Sequence, residues 1–111
     1  MQKTIENILC SMKKTSVDFH GDNLYDALCF GFSYIESEDH FVNYVVTNGK
    51  LMKKILATVS DATIDPTSNS IGELWTAKLL VSNKISEKRI VFSNERFSAV
   101  INLNTNMDKE M

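Results

Sequence analysis

Apolar residues recur at helical spacing in three stretches of the chain. They lie three and four residues apart over 4–13, again over 22–37, and again over 49–59, which is typical of helices that pack one side against a core. Asp22 or Asn23 precedes the second stretch, and Asn48 precedes the third. These residues favour helix starts because their side chains accept hydrogen bonds from the free N–H groups of the first turn. The pattern therefore predicts three helices.

Runs of β-branched and aromatic residues predict four strands. They cover 41–47, 79–81, 89–93 and 98–103, and they contain the residue types that strands favour. The first run lacks alternation of apolar and polar positions, so we expect both of its faces to be covered, as in a central strand. Residues 15–21 and 60–70 are polar and rich in turn-forming residues, and we expect both segments to be loops.

Length and composition are those of one ordinary domain. The chain has 111 residues, of which 43% are hydrophobic and 23% charged, close to globular averages. We expect an α+β fold over residues 1–103, with a mixed sheet of about four strands flanked by helices. Residues 104–111 lack apolar periodicity, and we expect them to form a flexible tail.

Charge and hydropathy exclude several classes of partner. The net charge of −2 gives no general attraction for nucleic acid. No stretch has the charged start and apolar centre of a signal peptide, and none approaches the roughly 20 apolar residues that span a bilayer. We therefore expect a cytoplasmic protein that does not bind membranes.

The residues that could carry chemistry form no catalytic or metal-binding pattern. The potential soft metal ligands are Cys10, His20, Cys29 and His40. They occur singly, whereas zinc sites use closely spaced pairs. Asn48-Gly49-Lys50 lacks the remaining residues of a phosphate-binding loop, and no G-x-S-x-G sequence is present. The acidic residues beside His40 are better explained as a solvated turn than as an acid–base pair. We expect no catalytic residues, no metal and no cofactor.

Five residues are candidates for a protein interface. Phe30 lies off the apolar stripe of the second helix, and the loop that begins at Lys84 carries charges of both signs, which suits the rim of an interface. The candidate interface residues are Phe30, Lys84, Glu87, Lys88 and Arg89. Two alternatives stay open, since Phe30 could belong to the core and the loop could simply be solvated. The role of Trp75 is also undecided, since a tryptophan can belong to the core or to a protein interface.

Short patterns follow one another in a distinctive order over residues 24–103. A helix leads to a strand ending in Val45-Val46-Thr47-Asn48, and a second helix and a loop lead to Gly72-Glu73-Leu74-Trp75. A strand ending in Val81-Ser82-Asn83 then precedes strands at 90–92 and 98–103. This order resembles the A-domain of tailed-phage major capsid proteins and encapsulins. No single pattern is diagnostic, and the resemblance lies in the order in which the patterns follow one another along the chain.

The resemblance implies a fold of the capsid A-domain type and a structural, self-associating protein. It implies a viral capsid or an encapsulin-like compartment, with copies of the same chain as partners in a ring or shell and a cargo protein as a further partner. The location would be the cytoplasm, or the virion for a phage protein. The chain departs from the family at Gly49, where proline is common, and has no counterpart of the extended arm and spine helix. It is thus similar to a short, stand-alone A-domain, or to an A-domain taken from a longer capsid protein.

Two other classes of function remain open at this point. One is a small regulatory or adaptor domain that binds a partner protein through the Phe30 side of the second helix. The other is a small enzyme whose catalytic residues come together only in the folded chain.

Overall fold

The computed structural model describes residues 6–8, 14–21, 23–37, 41–60, 62–64, 72–75, 77–94 and 98–103. The helices are α1 (Leu24–Glu36) and α2 (Gly49–Thr58). The strands are β1 (Lys14–Phe19), β2 (Tyr44–Thr47), β3 (Ala62–Ile64), β4 (Gly72–Leu74), β5 (Ala77–Val81), β6 (Arg89–Ser93) and β7 (Ser98–Leu103). Neither helix has the length and apolar character needed to cross a membrane.

The strands form one mixed sheet in the order β1-β7-β6-β2-β5-β4-β3. β1 is parallel to β7, and β2 is parallel to β5. β6 is antiparallel to β2 and β7, and β4 is antiparallel to β3 and β5. Five strands therefore point one way, and only β4 and β6 run against them. The α+β class and the mixed sheet are confirmed, but the expectation of about four strands is wrong, since the sheet has seven.

The three additional strands lie where the sequence pattern was weak. Residues 15–21 were expected to be a loop, yet Lys14–Phe19 forms β1. Among the described side chains of this strand, Val17 and Phe19 pack against the core, and its structure comes from pairing with the distant β7. β3 and β4 have three residues each, and β3 lies inside the segment 60–70 that was also expected to be a loop. The rest of that segment beyond Ser60 lies outside the described residues.

Both described helices begin where the sequence predicted. The Asn23 side chain accepts a hydrogen bond from the Asp26 N–H at 2.8 Å, and the Asn48 side chain accepts one from the Leu51 N–H at 2.8 Å. Each bond satisfies an N–H group that the helix itself leaves without a partner. Residues 6–8 of the first predicted helix are helical. The rest of that helix, and the predicted tail over 104–111, lie outside the described residues.

The connections place α1 and α2 on the same face of the sheet. β1-α1-β2 and β2-α2-β3 each join parallel strands, and both cross the sheet in the same direction. Because such crossovers are right-handed, both helices come to lie on one side. The packing supports this placement, since Leu28 of α1 and Ile55 of α2 share one core cluster with Phe92 of β6. We call this side the helix face.

The opposite side of the sheet, which we call the second face, has a smaller apolar cluster. Its buried members are Ile8, Val46, Leu80, Ile85 and Val91. Three of these come from the central strands β2, β5 and β6, while Ile8 and Ile85 come from the segment 6–8 and from the loop after β5. The central strand β2 is therefore covered on both faces, as its unbroken apolar sequence predicted.

Candidate interaction surfaces

Phe30 packs between α1 and the edge strand β1. Its side chain is half-buried, and its ring centroid lies 5.4 Å from that of Phe19. Phe19 is the register partner of Leu103, whose N–H donates to the carbonyl of Lys88 at 2.7 Å. Phe30 and the charged loop thus lie toward the same end of the sheet, separated by Phe19 and Leu103. The structure gives Phe30 a packing role, and its role in an interface stays a prediction.

The charged loop between β5 and β6 is held in place by several contacts. Ile85 is buried in the second-face cluster. The Ser82 and Ser86 hydroxyls accept hydrogen bonds from the backbone N–H groups two residues later, at 3.2 and 3.1 Å. Glu87 also forms an ion pair with Lys50 in the first turn of α2, at 3.3 Å. The loop is therefore a formed surface, although an ion pair this exposed adds little stability.

The surface that this loop presents is mainly basic. The exposed candidate residues on it are Lys84, Glu87, Lys88 and Arg89. Since Lys50 offsets the carboxylate of Glu87, the other three side chains leave an excess of positive charge. We call this set the basic loop. Such a surface attracts acidic or aromatic groups of a partner.

A second surface is built around Trp75, a residue for which the sequence left both a core and an interface role open. Leu74 pairs with Ala77, so Trp75 stands in the two-residue turn that joins β4 to β5. Its φ of 54° lies in the left-handed region, which primed hairpin turns require and which is usually occupied by asparagine or glycine. A bulky residue there costs on the order of 1–3 kcal/mol. The cost is offset by packing, because the indole lies nearly perpendicular to the rings of Tyr25 and Phe32 at centroid distances of 5.9 and 4.9 Å.

The half-buried Trp75 forms one wall of an open groove of about 300 Å³. The groove is lined by Cys29, Phe32, Ser33, Glu36 and Trp75. The four residues from α1 share one flank because they are separated by three, four and seven positions. The groove therefore combines aromatic rings with one carboxylate, a lining that suits the long apolar stem and positive end of a lysine or arginine. We call this surface the Trp75 groove.

The Trp75 groove and the basic loop lie at opposite ends of β5. Trp75 stands two residues before the strand, and the basic loop begins three residues after it. At about 3.3 Å per residue, the five residues of β5 alone separate the two surfaces by about 15 Å. Their charges are opposite, with Glu36 in one and the lysines and Arg89 in the other. A single chain can therefore offer the two surfaces to two different neighbours.

The described residues show no alternative site built on metal ligands. Within them, no group of three or more histidine, cysteine, aspartate or glutamate side chains is placed to hold a metal ion. Cys29 is a free, half-buried thiol in the Trp75 groove, and His20 is exposed after β1. Cys10 and His40 lie outside the described residues. The absence of a metal and of a catalytic group stays a prediction.

The Trp75 groove could not be found from the sequence because it depends on a long-range contact. Trp75 is separated by 39 to 46 positions from the α1 residues that line the groove with it. One signal was present, since this flank places Cys29, Ser33 and Glu36 beside the core residue Phe32 and is therefore not uniformly polar. Comparison with known proteins adds no further constraint, because no family model, curated protein or solved structure matches the chain.

Proposed function

We propose that the chain is a non-catalytic structural protein that associates with copies of itself, like the A-domain of a phage capsid or encapsulin shell protein. The observation that carries the proposal is the pair of complementary surfaces at opposite ends of β5. The order of α1, β2, α2, β4, β5, β6 and β7 along the chain is also the order on which the resemblance rests, and it supports the same function.

In the proposed contact, the basic loop of one copy docks into the Trp75 groove of the next. Arg89 lies over the indole ring, and its charge lies beside the carboxylate of Glu36. A cation over an aromatic face contributes on the order of 0.5–1 kcal/mol at an exposed site. A contact between two different surfaces repeats from copy to copy and closes into a ring when the rotation allows.

The assembly would occupy the cytoplasm, or the virion if a phage encodes the chain. Each contact is small, so association should be weak and depend on protein concentration. The resemblance adds a cargo protein as a further partner. Phe30, near the end of the sheet that carries the basic loop, is proposed to contribute apolar area beside it.

Charge reversal across the contact gives a direct test by sedimentation and light scattering over a broad concentration range. We expect the unmodified chain to form rings or larger assemblies at high concentration, and added salt to weaken them. Glu36→Lys and Arg89→Glu should each reduce assembly about tenfold, because each places like charges in contact. The double variant should regain assembly, since the exchanged charges again attract.

Lys53→Glu provides the control, because it reverses a charge on the exposed side of α2, outside both surfaces. It should leave assembly unchanged. A chain that is monomeric at every concentration would contradict the proposal and would favour the regulatory or adaptor function instead. If Glu36→Lys, Arg89→Glu and Lys53→Glu all reduce assembly equally, the effect would depend on the change in net charge and not on the proposed contact, which would then be wrong.

A further inference from the structure

The Trp75 groove has the size and shape of a site for a small molecule. Its volume of about 300 Å³ lies at the lower end of the range for ligand pockets, which suits a ligand about as large as one amino acid. Two of its walls are aromatic, and the rings of Phe32 and Trp75 meet at an interplanar angle of 81°. A free ligand of that size can therefore enter the groove without being part of a second chain.

The groove is negative at the end formed by the last turn of α1. Glu36 is the final residue of α1, and its side chain lines the groove. The last turn contains no basic residue, so no side chain of that turn offsets the partial negative charge at the C-terminal end of the helix. Among the described residues, no cation pairs with Glu36, since the ion pair they contain joins Lys50 to Glu87. The groove therefore favours a positively charged ligand.

Among organic cations, a guanidinium group fits this lining best. A guanidinium is planar, so it stacks on an aromatic face while two of its N–H groups donate parallel hydrogen bonds to one carboxylate. Trp75 and Glu36 supply these two partners, and the exposed hydroxyl of Ser33 adds an acceptor for a further N–H group. An ammonium group is more strongly hydrated and has no flat face, so it gains less from an aromatic wall.

We propose that the Trp75 groove binds a free guanidinium compound about the size of one amino acid, stacked on Trp75 and paired with Glu36. The consequence for assembly rests on the proposed function, in which Arg89 of a neighbouring copy occupies the same groove. The free ligand then competes with Arg89 and disperses the assembly. The groove is thereby a point at which the concentration of a small molecule regulates association of the chain.

Binding is tested by fluorescence, because Trp75 is the only tryptophan of the chain and its emission reports on the groove directly. The titration uses the Arg89→Glu variant, which removes the proposed head-to-tail contact and leaves the groove intact. The probe is N-acetyl-argininamide, whose only charge is on its side chain. We expect a saturable change in emission at millimolar probe concentrations, since both contacts are partly exposed to solvent.

Two further probes test which feature of the ligand is recognised. N-acetyl-citrullinamide has nearly the same shape as the first probe but no charge, and it should give no saturable change in emission. N-acetyl-lysinamide keeps the charge without the flat guanidinium, and it should bind about tenfold more weakly. Equal responses to the arginine and citrulline probes would overturn the proposal, and equal affinities for the arginine and lysine probes would overturn its choice of guanidinium.

A matched pair of variants tests the role of the carboxylate. Glu36→Gln should weaken binding of N-acetyl-argininamide about tenfold, because it removes the negative charge and one of the two oxygen acceptors. Glu73→Gln makes the same chemical change at an exposed residue that faces away from the helix-face cluster containing Leu74, and it should leave binding unchanged. Circular dichroism verifies that both variants are folded. Equal weakening by the two variants would overturn the proposal and leave the head-to-tail contact unaffected.

Competition with Arg89 is tested in the unmodified chain by sedimentation. N-acetyl-argininamide should disperse the assembly at concentrations at which sodium chloride of equal ionic strength does not. Saturable binding by an assembly that stays intact would overturn the competition. Binding that depends on Glu36, in a chain that never assembles, would support the guanidinium site and would contradict the proposed function alone.

Discussion

The two faces of the sheet are covered to different extents. On the helix face, α1 and α2 bury a large cluster that includes Leu28, Ile55, Leu79 and Phe92. On the second face, three buried residues of the central strands pack with Ile8 and Ile85, and exposed polar residues such as Lys78 lie on the same face. One face is therefore a core in the usual sense, and the other is a small apolar patch within a polar surface.

This difference explains why the strands have different sequence patterns. The central strands β2, β5 and β6 contain adjacent apolar residues because both of their faces are covered where they cross the patch. In β7, Ala99, Ile101 and Leu103 face the helices, whereas Val100 packs against the second-face cluster and Asn102 faces the same way as Val100. Adjacent apolar residues in a strand of this chain thus indicate that both of its faces are covered at that point.

The largest expected effect compares two adjacent leucines of β5. Leu79 is buried on the helix face and Leu80 on the second face, with exposures of 0% and 1%. Replacing a buried leucine by alanine costs about 2–5 kcal/mol, and the cost depends on how well the site can collapse. We expect Leu79→Ala near the top of that range and Leu80→Ala near the bottom, measured by urea unfolding. Equal losses would mean that the second face is packed as tightly as the helix face.

A smaller effect is expected where α1 approaches the sheet most closely. A Cβ atom at Gly31 would lie 2.2 Å from the ring of Phe92. Phe92 is fully buried and packs against Phe32 at a centroid distance of 5.7 Å, so it has little room to move. We expect Gly31→Ala to destabilise the fold by about 1–3 kcal/mol through overpacking, despite a helix-propensity gain of about 1 kcal/mol. Increased thermal stability of this variant would show that α1 can move away from β6.

The smallest expected effect concerns the start of α2. Asn48→Ala removes the acceptor of the Leu51 N–H bond, and we expect a loss of about 1 kcal/mol with the fold retained. Asn48→Asp is the matched variant, since it keeps the acceptor and should preserve most of the stability. Midpoints from denaturant unfolding measure both changes. An unchanged midpoint for Asn48→Ala would show that α2 contributes less to the helix face than its buried residues indicate.

The sequence predicted those parts of the fold whose pattern is local. The starts of both described helices follow from Asn23 and Asn48 and from the apolar spacing after them. β1 could not be predicted because only two of its described side chains reach the core, and its backbone is ordered by pairing with β7. β3 and β4 have too few residues to produce a periodic signal.

The candidate surfaces were predictable only in part. The basic loop is a run of charges between two strands and is visible in the sequence. The Trp75 groove requires a left-handed turn at a tryptophan and its approach to one flank of α1. Neither feature has a local signature, because tryptophan is rare at such turn positions. The packing of Phe30 against Phe19 also depended on β1, the strand that the pattern missed.

The pairing of β1 with β7 has a consequence for how the chain folds. Asp18 and Asn102 are hydrogen-bonded neighbours although 84 positions separate them. During synthesis, β1 leaves the ribosome first among the strands described, and its partner leaves last. Every other strand can find a neighbour before β1 does, so closure of the sheet at this edge is the step that brings together the most distant parts of the chain. Contacts of such long sequence separation slow folding and prolong the exposure of unpaired strands.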